Sequence, residues 1–123
     1  MSTSEVKIIT LANFISQLNE NAEVISFEQV MQVIGENYHY TAASFSNGEL
    51  LNEAGTNEGS CKIFYFAKLN ELTAVQTLAC FGRYYRDDVV KNPEGNDHGN
   101  IRNFIKHGWN KVEFNSVALT PLV

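Results

Sequence analysis

Apolar residues recur at helical spacing through the first third of the chain. In LANFISQLN, Leu11, Phe14, Ile15 and Leu18 share one face, Thr10 stands at the N-cap position and Asn19 to Asn21 end the run. FEQVMQVIGENY repeats the pattern with Phe27, Val30, Met31 and Ile34, behind a Ser26/Gln29 pair spaced as a capping box. Two amphipathic helices packed stripe to stripe are predicted.

The period changes at Tyr38. YHYTAASFSNGELLNEAG is rich in β-favouring residues, and Asn47-Gly48 between Phe45 and Leu50 signals a tight hairpin, so a two-stranded ribbon is expected here. After the polar loop AGTNEG, Ser60 can cap CKIFYFAKLNEL. That run is apolar enough to be a strand, but its length and cap favour helix. Thr73 and Gln76 form a second capping box, opening TAVQTLACFGRYYRDDVV with a stripe of Val75, Leu78, Phe81, Tyr85 and Val89, so residues 60–90 read as a helical hairpin.

Pro93 and Gly95 interrupt the chain before NDHGNIRNFIKHGW. Asp97 suits an N-cap facing the positive end of a helix, Ile101, Phe104 and Ile105 supply its buried stripe, and His107 falls in the last turn. Gly108 stands where a left-handed C′ residue is wanted, with Trp109 at C″ placed to pack on Phe104. Beyond it, Val112 and Phe114 alternate around Glu113 and a Pro-containing segment follows, which predicts a second short strand pair at a sheet edge. The expected fold is α+β and helix-dominated: about five helices with a small antiparallel sheet drawn from residues ~38–52 and ~110–121.

Length and charge narrow the possibilities. The 123 residues match one domain, with no linker or repeat to divide 1–123. Residues 1–60 hold eight carboxylates against Lys7 alone, a balance of −7, while residues 61–123 stand at +2. An acidic surface repels phosphate backbones and anionic lipid, so neither nucleic-acid nor membrane binding is expected. Cys61 and Cys80 lie in apolar surroundings without CxxC spacing, as reduced thiols do, and no apolar run approaches the ~18 residues of a membrane span. MSTSEVKIITLANF lacks the basic, apolar and small-residue order of a cleaved secretory signal.

Three constellations could carry chemistry. His98 and His107 are nine residues apart, roughly 13 Å along a helix, too far to share one metal, and no HExxH is present, so no metal site is expected. Capped by Ser60, Cys61 would occupy the first helical position, where the dipole lowers a thiol pKa. With His98 or His107 it would then form a cysteine-dependent catalytic pair. The alternative is an inert core thiol. Lastly, NEAGTNEGS carries Glu53 and Asn57 but neither EF-hand, GxGxxG nor P-loop spacing, so no cofactor is expected. His98 has no structural duty in the helix as read, and a cleft shared by Glu53, Asn57 and His98 is the expected ligand site.

FSNGELLNEAGTNEGSCKIFYFAKL, TLACFGRYYRDDV, NPEGNDHGNIRNFIKHGW and the closing VEF together resemble the HopJ family of type III effector proteins, named after HopPmaJ of plant-pathogenic pseudomonads. The resemblance implies a bacterial virulence protein made in the cytoplasm and delivered into a host cell by a needle-like secretion system, with a host protein as its partner. It supplies no catalytic residues, so a binding or interaction module is the expected function. Thr3 and Ser4 stand where effector signals of those pseudomonads carry an aliphatic residue, and Glu5 follows, which keeps a housekeeping role in the bacterial cytoplasm as the alternative.

Overall fold

Thr10 accepts a hydrogen bond from the Asn13 N–H at 3.1 Å and so starts α1 (Leu11–Glu20) where the sequence predicts it. The structure is a computed structural model and describes residues 10–122; the Thr3, Ser4 and Glu5 positions lie outside the described residues. A single 3₁₀ turn at Ala22–Val24 leads to α2 (Phe27–Asn37), capped by Ser26. Only half of the expected capping box forms, because the Gln29 side chain donates across to Gln17 on α1 at 2.7 Å and thereby ties the two helices together.

Strands β1 (Tyr38–Tyr40), β2 (Phe45–Asn47) and β3 (Leu50–Asn52) follow, then α3 (Glu58–Leu69) and α4 (Ala74–Ala79). A π-helical turn at Tyr84–Val89 precedes α5 (Gly99–His107), and β4 (Val112–Phe114) and β5 (Leu119–Pro121) complete the fold. The predicted strands exist, but β4 and β5 do not pair with each other. β4 adds to the hairpin in the order β3-β2-β4, with Phe45 opposite Phe114, and β5 pairs with β1, with Tyr40 opposite Leu119. Both pairings are antiparallel.

α3 runs through the centre, which explains its ambiguous sequence: a helix covered on most sides carries apolar residues on most sides. Its Phe64 ring meets Phe45, Phe81, Phe104 and Trp109 at centroid distances of 5.1 to 6.2 Å. Trp109 also meets Phe104 edge to face at 5.1 Å, the contact predicted from its place after Gly108.

The helix predicted from Thr73 to Val90 is broken. The Thr73/Gln76 capping box is complete, but α4 ends at Ala79 and Gly82 adopts φ +61°. A Cβ on Gly82 would lie 2.7 Å from the Phe27 backbone nitrogen, so the chain can pass over the start of α2 only as glycine. The predicted stripe is therefore not carried by one continuous helix. Leu78, Phe81 and Val89 stay buried, whereas Val75 is 73% exposed. Ile105, expected in the α5 stripe, is also exposed, and buried Asn100 takes a place on the inner face instead.

Gly82→Ala is expected to lower stability by about 2 kcal/mol or more, through left-handed strain and the clash with α2. Gly35→Ala, on α2 with no atom within 4 Å of the added methyl, is expected to raise stability by about 0.5–1 kcal/mol. Chemical denaturation of both variants checks the contrast, and equal midpoints would remove the close-approach account of Gly82.

Candidate functional site

The hairpin presents one face to α5. Alternation along the strands turns Phe45, Asn47, Leu50 and Asn52 to the same side, and two of these four are amides that must be paired once buried. They meet Asn100, in the first turn of α5. Asn47 donates to the Asn100 carbonyl at 2.8 Å and to its side-chain oxygen at 3.0 Å. Asn52 and Asn100 exchange bonds of 3.2 and 2.9 Å through their amides. Asn57 extends the chain outward by donating to Asn52 Oδ1 at 2.7 Å, and Asn103 donates to the Asn47 carbonyl at 2.9 Å. Asn47 Oδ1 alone in this cluster is buried without a partner.

Beside the asparagines lies an open cleft of about 540 Å³. β3 forms one wall, the first turn of α3 and the entry to α5 form a second, and Phe27, Phe81 and Tyr84 form a third. Both helices begin in the same unusual way. Asn57 (φ 49°, ψ 48°) and His98 (φ 53°, ψ 51°) are left-handed cap residues, and neither caps through its side chain. The first-turn N–H groups of an α-helix have no partner inside the helix, so Gly59, Ser60, Gly99 and Asn100 bring donors to the cleft wall.

These starts differ from the sequence expectation. Ser60 is the third residue of α3, not its cap, and Cys61 is the fourth, with its N–H bonded to the Asn57 carbonyl at 3.0 Å. The Cys61 thiol is buried against the Ala43 carbonyl, and burial pushes its pKa up. It forms no hydrogen bond with His98 or His107. The premise of an activated Cys61–histidine pair is therefore absent, because the left-handed cap moved the helix start three residues toward the N-terminus. Cys80 is likewise buried, its pKa pushed up to about 12.

Asp97 does not cap α5. Its carboxylate and its carbonyl both accept from Arg102, at 2.7 and 2.6 Å, and the Arg102 hydrogen bond holds the Asp97 carboxyl below the usual aspartate range. His98 has a structural duty after all: its ring nitrogen lies 3.0 Å from Asp88 Oδ2, and the ring leans on Tyr84 at 5.4 Å. His107 pairs with Glu49 across the hairpin turn at 3.2 Å.

Of the residues expected to share a cleft, Asn57 and His98 do so, but Glu53 does not. Glu53 is exposed and its carbonyl caps the turn at Thr56, and the carboxylates near the His98 ring are Asp88 at 3.0 Å and, farther off, Asp97 at 3.8 Å. Asn52, Asn100, Tyr84 and Phe27 were missed by the sequence reading. The signal for the asparagines was available, since strand alternation places Asn47 and Asn52 on the buried face with Phe45. Among the described residues, no three His, Cys, Asp or Glu side chains gather as metal ligands, and no helix is long and apolar enough to cross a membrane.

Asn100→Ala is expected to destabilise the domain by about 3 kcal/mol, since it removes the side-chain amide with which buried Asn52 exchanges two bonds and one of the two acceptors of Asn47, which keeps the Asn100 carbonyl. Thermal or urea unfolding reads the loss. A change below about 0.5 kcal/mol would show that the amides find other partners.

Comparison with known proteins places this geometry. No curated protein matches the chain. A solved crystal structure of a protein described as "unknown function protein VPA0580" is 48% identical, with a TM-score of 0.91, covering 98% of this chain and 99% of that one. Residues 11–119, which hold every element but the end of β5, match the family model described as HopJ type III effector protein, and the chain belongs to that family.

Proposed function

We propose that this HopJ-family protein acts by binding, with the open cleft as the seat of its ligand, and that it is delivered from the bacterial cytoplasm into a host cell to meet a host protein there. One observation carries the binding reading. The cleft combines an aromatic wall of Phe27, Phe81 and Tyr84 with a polar wall whose asparagines are already fixed by buried hydrogen bonds. Ligand pockets are commonly of this kind: apolar area supplies affinity, and a few positioned polar groups supply orientation. Preorganised amides lose little freedom when a ligand arrives. The Cys61 thiol does not serve the cleft, since it is held in the core against the Ala43 carbonyl.

The cleft reading is tested by a fragment screen monitored through backbone amide shifts in wild type and Ser60→Phe. The expected result is a set of fragments that shift Asn52, Gly59, Gly99 and Asn100, with binding weakened about tenfold or more once the phenyl ring fills the space. Fragments that bind elsewhere, or that ignore the substitution, would overturn it.

Delivery is tested separately by fusing residues 1–50 to a translocation reporter in a strain with an active type III system. Reporter signal in the host cell is expected. Its absence, with a working effector signal in parallel, would favour the housekeeping role that Thr3, Ser4 and Glu5 suggest.

A further inference from the structure

β3 is an edge strand, and its edge borders the cleft. Side chains of successive strand residues point to opposite faces, yet Leu50, Leu51 and Asn52 all line the same cavity. The strand therefore meets the cleft along its length rather than by one face. The register identifies which groups are free. In a two-residue hairpin the pair flanking the turn is the hydrogen-bonded one, here Asn47 and Leu50, so alternation turns the N–H and C=O of Leu51 away from β2. The Leu51 side chain is 83% exposed, the most exposed large apolar residue among those described.

Charge says what can lie there. From residue 8 to residue 61 the chain has no lysine or arginine, but it has seven glutamates, three of which, Glu49, Glu53 and Glu58, stand within or beside the β3–α3 segment. Exposed edges are commonly protected by like charge, and a second copy of this anionic edge would be repelled. A cationic strand would not.

We propose that the β3 edge and the adjoining cleft receive an extended, lysine- or arginine-bearing segment of a partner protein as an added strand. Its main chain pairs with Leu51, its apolar side chains enter the cleft toward Phe27, Phe81 and Tyr84, and its basic side chains meet Glu53 and Glu58. This is strand addition at a sheet edge, in which main-chain bonds give affinity and alternate side chains give specificity. The inference rests on the cleft being the binding seat and names the chemistry of its occupant.

The test uses a fluorescein-labelled, acetylated and amidated heptapeptide that alternates lysine with leucine and phenylalanine. Fluorescence anisotropy should show saturable binding to wild type, and the Leu51 amide should be among those most shifted in the nitrogen-15 spectrum. Replacing the lysines by glutamate should abolish binding. N-methylation of alternate peptide residues on the pairing edge should weaken it tenfold or more without touching the fold of the protein. Glu53→Lys, at an exposed position, should weaken it about threefold to tenfold with an unchanged unfolding midpoint. Equal binding of the parent and N-methylated peptides, in either methylation register, would reveal charge adsorption alone and overturn the proposal. Failure of the parent peptide would also overturn it, and would leave the cleft reading standing if Ser60-sensitive fragments are found. Failure of both would remove the two together.

Discussion

Everything at the cleft depends on one requirement, that amides taken out of water be paired. Asn47 and Asn52 sit on the inner face of the hairpin where apolar residues would pack without direction. Desolvating them costs free energy unless each meets a partner, and Asn100 is the group that both reach. The hairpin can therefore dock on α5 in one register only. A slip along the helix would leave buried amides unpaired, whereas a slip between purely apolar faces would lose only area. The Gly48 turn supports the same register, since a side chain there would collide with the His107 ring.

The cleft exists because neighbouring elements stop short of one another. Left-handed residues at Asn57 and His98 swing the chain into α3 and α5 abruptly, leaving space in front of each first turn. On the opposite side, Gly82 brings the chain against the start of α2 and sets Phe81 and Tyr84 beside Phe27, whose ring meets Tyr84 edge to face at 5.2 Å. Asp88, carried on the π-helical turn, then holds His98 in place. A wider turn of this kind changes which side chains face inward, and such turns recur near functional sites.

Most of the element list was legible in the sequence, because it is written in local signals. Thr10, Ser26 and Thr73 cap as their spacing predicts, and Asn47-Gly48 turns the hairpin. Errors came where tertiary contact outweighed local preference. Ser60 and Asp97 suit N-caps by residue type, yet the helices start at Asn57 and His98, neither of which caps through its side chain. Asp97 is drawn off by Arg102, and the Asn57 amide is drawn to Asn52. Val75 belonged to an 18-residue stripe that presumes a continuous helix, whereas α4 ends at Ala79 and buries Thr77, Leu78 and Ala79 instead, and Gly82 is obliged to leave the helix by a neighbour 55 residues away in sequence. The site was legible to the same degree. Asn57 was reached through its polar loop and His98 through an apparent lack of structural duty that its contacts with Asp88 and Tyr84 remove, but Asp88 could not be reached, because nothing within ten residues announces that a π turn will aim it at His98.

The strand pairings impose an order in time. Both sheets are seeded between residues 38 and 52 and completed by residues 112–121, with every helix from α3 to α5 in between. Closing loops of this length is slow, and contacts between distant residues form late. A chain that emerges N-terminus first, from a ribosome or any narrow exit, therefore shows its acidic hairpin before the strand that covers one side of it has appeared. Seven glutamates and no lysine or arginine between residues 8 and 61 give that segment a single sign of charge, which disfavours edge-to-edge pairing of two copies.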